Sequence, residues 1–255
     1  TVIGHQALST ATTAEGNVAI GLYSMNGSWA GVATSGCVAI GQQTLQGVLT
    51  TGASNSIAIG KFSLQALTSG GYNIGVGYQA LALCTEGESN VAIGHQALDA
   101  MAGEAGENNT GDSNIAIGIQ AMGSVNAGAH ASSTSNNNIA IGNSALLGGA
   151  LPDGSQGNLD GNIAIGSNAL DATGTDDQTG TIAIGQNALT ALTSGASNTA
   201  VGYQSFMTAT TEIGNVVIGH SAGKLMRHDA SDYNVLIGFE AGTGGTGSRN
   251  NSVAI

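Results

Sequence analysis

A nine-residue phrase, roughly Asn-Ile-Ala-Ile-Gly-x-x-Ala-Leu, recurs along the whole chain and constrains its fold more than any other feature. Its glycine returns at intervals of 17 to 24 residues, and the segments between phrases vary in length and composition. The glycines are Gly4, Gly21, Gly41, Gly60, Gly77, Gly94, Gly118, Gly142, Gly166, Gly185, Gly202, Gly219 and Gly238. A unit this short cannot bury its own apolar face, so copies must stack to build a core. The pattern predicts an all-β repeat solenoid or β-roll of about 13 coils.

The residues before each glycine predict a short strand, because they alternate large, small, large, as in Val18-Ala19-Ile20. Side chains alternate between the faces of a strand, and β-branched residues suit a buried, pleated surface. We therefore expect the valines and isoleucines to point one way, toward a core, and the alanines the other. The glycine permits a corner with positive φ. The next four residues, such as Tyr78-Gln79-Ala80-Leu81, predict a second short strand or corner whose Leu returns to the interior.

A column of asparagines stands four residues before the glycine. Its members are Asn17, Asn73, Asn90, Asn114, Asn138, Asn162, Asn198, Asn215 and Asn234. Identical Asn side chains stacked in register can hydrogen-bond from layer to layer. Asn also opens strands as a turn residue, and the two interpretations are compatible.

A second column consists of the small residue in the middle of each strand. It is alanine at Ala19, Ala39, Ala58, Ala92, Ala116, Ala140, Ala164, Ala183 and Ala200. Strand faces open to water normally carry polar residues that discourage aggregation. An unbroken alanine stripe therefore predicts a closely packed partner, either an identical chain in a symmetric oligomer or a second sheet of the same chain. The oligomer is the favoured hypothesis.

Composition excludes several classes of protein. A net charge of −12 with only 4 Lys+Arg cannot build the basic patch that nucleic-acid binding needs. The 42 glycines do not fall at every third residue and there is 1 Pro, which excludes collagen. With 41% hydrophobic residues the chain has too much apolar surface for ordinary disorder. No stretch approaches the ~20 apolar residues of a membrane span, so we expect no membrane insertion.

The repeat phrases resemble the head repeats of trimeric autotransporter adhesins, and more closely the related repeats of phage and prophage tail fibres. The resemblance rests on Asn90-Val-Ala-Ile-Gly-His-Gln-Ala-Leu98 and Asn198-Thr-Ala-Val-Gly-Tyr-Gln-Ser-Phe206, and it covers essentially the whole chain. The 17 to 24 residue spacing favours the tail-fibre branch. The resemblance implies a parallel homotrimer of β-rolls that attaches to a cell-surface receptor or glycan. It also implies an extracellular, cell-surface or virion location.

The chain is interpreted as one solenoid domain over residues 1–255, cut from a longer array because it opens and stops inside the phrase. Three consecutive 24-residue intervals over residues 94–166 predict three long loops, Asp99–Ser113, Gly123–Asn137 and Leu147–Gly161. Insertions in a solenoid cluster on one face, which is often the binding face. These loops contain no aromatic residue, which weakens that interpretation.

Residues that could carry chemistry do not converge in the sequence. His5, His95 and His220 follow repeat glycines in distant copies, so only a threefold axis would bring them into rings that bind an ion. The acids lie in loops: Glu104, Glu107 and Asp112; Asp153 and Asp160; Asp171, Asp176 and Asp177. No calcium-loop pattern surrounds them. Gly242-Thr-Gly244-Gly-Thr-Gly247 matches a dinucleotide motif without the βαβ unit it requires.

Cys37 and Cys84 are expected to be free thiols, because stacked coils offer no crossing that would join them. The chain is therefore predicted to be a non-enzymatic adhesive fibre segment without cofactor or metal. An ice-, mineral- or glycan-binding solenoid, or a self-assembling extracellular filament, is the alternative. A polysaccharide-degrading β-helix ranks lowest because the constant columns carry only structural residue types.

Overall fold

The structure, a computed structural model, describes residues 1–9, 15–27, 34–49, 53–101, 111–124, 134–148, 158–173, 177–226, 231–243 and 250–255. It is an all-β parallel solenoid over these residues, with repeats of about 19 residues and no helix. Fourteen short strands form one parallel sheet in chain order. The strands are β1 Val2–Ile3, β2 Val18–Ile20, β3 Val38–Ile40, β4 Ile57–Ile59, β5 Ile74–Val76, β6 Val91–Ile93, β7 Ile115–Ile117, β8 Ile139–Ile141, β9 Ile163–Ile165, β10 Ile182–Ile184, β11 Thr199–Val201, β12 Val216–Ile218, β13 Val235–Ile237 and β14 Val253–Ala254.

The strand register is constant although the spacing along the chain is not. Ala92 of β6 pairs with Ala116 of β7, and Ala116 pairs with Ala140 of β8, across 24-residue intervals. Ile182 of β10 pairs with Thr199 of β11 across only 17 residues. The repeated phrase therefore sets the register, and the intervening segments adapt to it.

The repeat glycines form the corners that the sequence predicts. All thirteen have φ between +125° and +140°, a conformation that side chains rarely adopt. At Gly94 an added Cβ would clash with the carbonyl oxygen of Gly118 in the next repeat. The corners are thus stacked so closely that only glycine fits.

The segment after each corner is a turn rather than a second strand. In the repeat of Gly94, both Gln96 and Leu98 have left-handed φ, +55° and +51°. The backbone N–H of Gln96 donates to the backbone carbonyl of Tyr78 in the previous repeat at 2.9 Å. The backbone N–H of Leu98 donates to the backbone carbonyl of Ala121 in the next repeat at 3.0 Å. The left-handed residues thus turn the chain while keeping its hydrogen bonds between repeats. Leu98 is fully buried, as the sequence predicts.

The prediction that the alanine column faces outward to a partner chain is wrong. Every alanine of this column is 0% exposed within the single chain. These residues are Ala19, Ala39, Ala58, Ala92, Ala116, Ala140, Ala164, Ala183 and Ala200. They form the core of this chain together with the leucines after the corners. The large residues on either side of each alanine point outward instead, and are half-buried or exposed.

Steric limits inside the solenoid explain this orientation. The central residue of most strands is alanine where the fourth residue after the corner is large, such as Leu98. In β12 the central residue is Val217, and the later position is Gly223, whose added Cβ would lie 3.2 Å from Cγ1 of Val217. β13 has the same arrangement: its central residue is the large Leu236, and the fourth residue after the corner is Gly242. The central residue of the strand and the fourth residue after the corner fill the same space in the core. A large side chain at one of these positions therefore leaves room only for a small one at the other.

Candidate functional site

The outward side of the sheet is a long apolar surface, which we call the sheet face. It consists of the first and third residues of β2 to β13, all of them Val or Ile except Thr199. The first residues are half-buried, and third residues such as Ile93 and Ile141 are 40% and 36% exposed. No charged side chain occurs in either column. Contiguous exposed apolar surfaces of this kind mark interaction sites.

Five exposed aromatic residues stand close in sequence to the strands of the sheet face. Tyr72 and Tyr233 stand five residues before a corner glycine, and Tyr78, Tyr203 and Phe239 stand directly after one. They are 41% to 72% exposed, and they account for every exposed Tyr or Phe in the part of the chain that the structure describes. Aromatic residues are enriched in protein interfaces, so we name these five the rim aromatics and count them with the sheet face.

Three of the rim aromatics, Tyr78, Tyr203 and Phe239, stack on histidines. The Tyr78 and His95 rings are stacked with centroids 5.3 Å apart. Farther along the solenoid, His220 stacks on Tyr203 at 5.1 Å and on Phe239 at 5.2 Å. Stacking between successive repeats holds the rings in place before any partner binds.

His5 also follows a repeat glycine directly, and its ring contacts that of Tyr23 edge-on, with centroids 5.9 Å apart. His5, His95 and His220 are therefore exposed aromatic neighbours in separate repeats and do not converge within the chain. Over the described ranges, no three His, Cys, Asp or Glu side chains come together in a group that could hold a metal ion.

The asparagine column forms a hydrogen-bonded ladder in the interior. Side-chain amide bonds of 3.0 to 3.2 Å connect Asn73, Asn90, Asn114, Asn138 and Asn162 in one run, and Asn198, Asn215 and Asn234 in another. Each Oδ1 in a run also accepts the backbone N–H of the next asparagine at 2.9 to 3.0 Å. Cys37 occupies the asparagine position in the repeat after Asn17, and Asn17 Oδ1 accepts the backbone N–H of Cys37 at 2.8 Å. The ladder thus satisfies buried polar groups in repeat after repeat.

We expect Asn138→Ala to lower the free energy of unfolding by about 3 kcal/mol, because it leaves the buried Asn162 amides without their acceptor and Leu159 O without its donor. Urea unfolding measures this loss. Asn143→Ala is the matched control: Asn143 lies in the same repeat, is exposed, and should cost less than about 0.5 kcal/mol. Equal losses in the two variants would contradict a structural ladder.

The ladder is interrupted at Thr181, which occupies the asparagine position between Asn162 and Asn198. Its backbone N–H donates to Asn162 Oδ1 at 2.9 Å, but its own buried Oγ1 has no hydrogen-bond partner. We expect Thr181→Asn to join the two runs and stabilise the protein by about 1 kcal/mol. Thermal unfolding would show a higher Tm. Thr181→Val removes the hydroxyl without adding an amide, so an equal rise in both variants would refute the explanation by ladder repair.

Several aspartates act as hydrogen-bond acceptors between repeats. Asp112 Oδ1 accepts the backbone N–H of Glu88 at 2.8 Å, and Asp160 Oδ1 accepts that of Asn136 at 2.7 Å. Burial raises the pKa of Asp99 and of Asp171, which lie three repeats apart and so form no carboxylate pair. Glu104, Glu107, Asp153, Asp176, Trp29 and most of the three long loops lie outside the described residues.

Both cysteines are free and buried, as the sequence predicts. Burial raises the pKa of the Cys37 thiol and brings that of Cys84 to about 12, so neither supplies a thiolate near neutral pH. The described part of the chain also contains no helix that is both long and apolar enough to cross a bilayer.

Comparison with known proteins found no matching family, no matching curated protein and no matching solved structure. The function must therefore be argued from the surfaces of the chain. The sheet face is not evident from the sequence, because the preference of Val and Ile for burial places them in the core. The exchange between Val217 and Gly223, and between Leu236 and Gly242, is the sequence signal that would have shown the alanines to be inside.

Proposed function

We propose that this chain is an adhesive fibre segment that assembles as a parallel homotrimer, with the sheet faces of three copies packed around the common axis. The observation that carries the proposal is an uncharged column of Val and Ile side chains, with every exposed Tyr and Phe of the described chain close in sequence to its strands. The repeats' resemblance to trimeric adhesin heads and tail fibres supports the same assembly. The trimer interface is thus formed by the valines and isoleucines and not by the alanines.

A second copy of the chain suits this surface because both surfaces repeat with the same period. Parallel strands stack about 4.8 Å apart, so fourteen strands extend over roughly 60 Å. A strip about 10 Å wide and that long presents roughly 600 Å² per copy before the rim aromatics are added, which approaches the area of a stable interface. The absence of charge means that no ion pair has to be desolvated.

The proposed mechanism is geometric. Thirteen coils, one per repeat, form a stiff rod that holds a receptor-binding end away from a cell or virion. The rod itself performs no catalysis and needs no cofactor. Most of the charge of the chain lies in the segments between the repeat phrases.

Sedimentation equilibrium together with small-angle scattering tests this assembly. We expect the mass of three chains and an elongated shape, stable on dilution to micromolar concentration. A compact monomer would refute the proposal. A dimer would retain the interface and reject threefold symmetry.

The regular outward face also favours a second function, binding to an ordered solid such as ice. Its β-branched side chains recur at each strand along a sheet whose register never changes. Ice-binding solenoids present threonines on such a face, whereas this one contains only Thr199. Inhibition of ice recrystallisation by a chain that remains monomeric would favour this alternative over the trimer.

A further inference from the structure

A strictly repetitive interface leaves the axial alignment of its partners undefined. Moving one copy along another by one repeat, about 4.8 Å, brings the same Val and Ile columns back into contact. Weakly specified register allows slippage in sheets, and coiled coils avoid it with a single residue that interrupts the heptad pattern. A fibre of defined length needs an equivalent feature on its sheet face.

The rim aromatics interrupt the repeat at particular strands. Tyr72 and Tyr78 bracket β5, and Tyr233 and Phe239 bracket β13. In each pair, one exposed aromatic residue precedes a single strand of the sheet face and the other follows it. The two bracketed strands are eight strand intervals, or about 38 Å, apart.

Two of these residues occupy strained positions. Tyr72 and Tyr233 have φ of +62° and +58°, at a position that Gly, Asn or Ser occupies in the other repeats. Left-handed φ is uncommon for bulky side chains. The Tyr233 ring lies over Gly214, where an added Cβ would be 2.7 Å from Cδ1 of the ring. The preceding repeat thus leaves room for this ring, which remains 60% exposed.

We propose that the rim aromatics fix the axial register between copies of this chain, with like pairs side by side in a parallel assembly. This inference rests on the trimer proposed above. In register, the Tyr72–Tyr78 pairs of neighbouring copies pack at the same level, and aromatic contacts exceed what their buried area alone contributes. A slip of one repeat moves the Tyr72–Tyr78 pair beside Asn55 and Lys61, or beside Ser89 and His95, and loses the contact between like pairs.

The test compares the wild-type chain with a variant carrying Tyr72→Asn, Tyr78→Gln, Tyr233→Asn and Phe239→Gln, which places residues common at these repeat positions. Spin labels are attached through Leu83→Cys or, in a separate sample, Leu225→Cys. Both leucines are more than half exposed and lie outside the sheet face. Unmodified protein controls for reaction at the two buried cysteines.

We expect the oligomer mass to be the same in both proteins. Electron double-resonance should give one narrow intermolecular distance in the wild type at each labelled position. In the variant the distribution should roughly double in width, as copies displaced by multiples of about 4.8 Å become populated. The control variant Tyr23→Gln removes an aromatic that is not a rim aromatic and whose ring contact is with His5, and its distribution should stay narrow.

The outcomes separate this inference from the trimer. An oligomer whose distances stay narrow in the fourfold variant overturns the register role and leaves the trimer intact. A monomeric wild type overturns both. Narrow distances that differ strongly between positions 83 and 225 indicate antiparallel packing, which also overturns both.

Discussion

Gly94→Ala is expected to abolish cooperative folding or to lower the free energy of unfolding by about 5 kcal/mol, among the largest effects of any single methyl group. Gly94 has φ of +140°, and its added Cβ would clash with the carbonyl oxygen of Gly118. Relief would require the next repeat to move away. That movement would break the strand pairing of β6 with β7, which is continuous with the rest of the sheet. Circular dichroism during urea unfolding measures the loss.

Gly161→Ala is the matched control for this substitution. Gly161 also has positive φ, +66°, but nothing lies within 4 Å of the position its Cβ would take. We expect a cost of only about 1 to 2 kcal/mol from the left-handed backbone. Comparable losses at both glycines would show that backbone strain, and not the contact between stacked corners, restricts the repeat glycines.

The second large effect concerns assembly. The double variant Ile93→Asp with Ile141→Asp should convert the proposed trimer to monomers, because uncompensated carboxylates would be buried in the interface. Both side chains already point outward, at 40% and 36% exposure, so the fold of the single chain should survive. Light scattering after gel filtration gives the mass, and circular dichroism shows whether the sheet remains.

Leu83→Asp with Leu225→Asp adds the same charge at exposed leucines outside the sheet face. This control should remain trimeric. If the isoleucine variant also keeps the mass of three chains, the sheet face is not the interface. If the control alone dissociates, the interface lies on the side of Leu83 and Leu225.

Much of the fold follows from the sequence because the same phrase recurs in every repeat. The phrase predicts the strands, the glycine corners, the buried leucines and the asparagine ladder, and the structure contains each, with Asn17 outside the two runs of the ladder. The predicted orientation of the strand side chains was wrong. General preference places Val and Ile inside, but the space beside a buried leucine such as Leu98 admits only a small residue. This limit depends on how far apart the two sides of one repeat lie, which no local pattern gives.

The left-handed leucines could not be predicted for a related reason. Leu98 has φ of +51° because its amide must reach the next repeat while its side chain enters the core. Single-residue preference disfavours this conformation, and only the stacked neighbours stabilise it. The rim aromatics stand near the corner glycines in the sequence, but their relation to the sheet face follows only from the orientation of the strands.

The constant register across intervals of 17 and 24 residues also bears on how such a chain can change over time. Residues can be gained or lost between the buried leucine of one repeat and the asparagine of the next without displacing any strand. Mutation can therefore vary the segments between the repeat phrases while the sheet face stays the same. The same property makes the chain a scaffold on which foreign peptides can be inserted at regular axial steps.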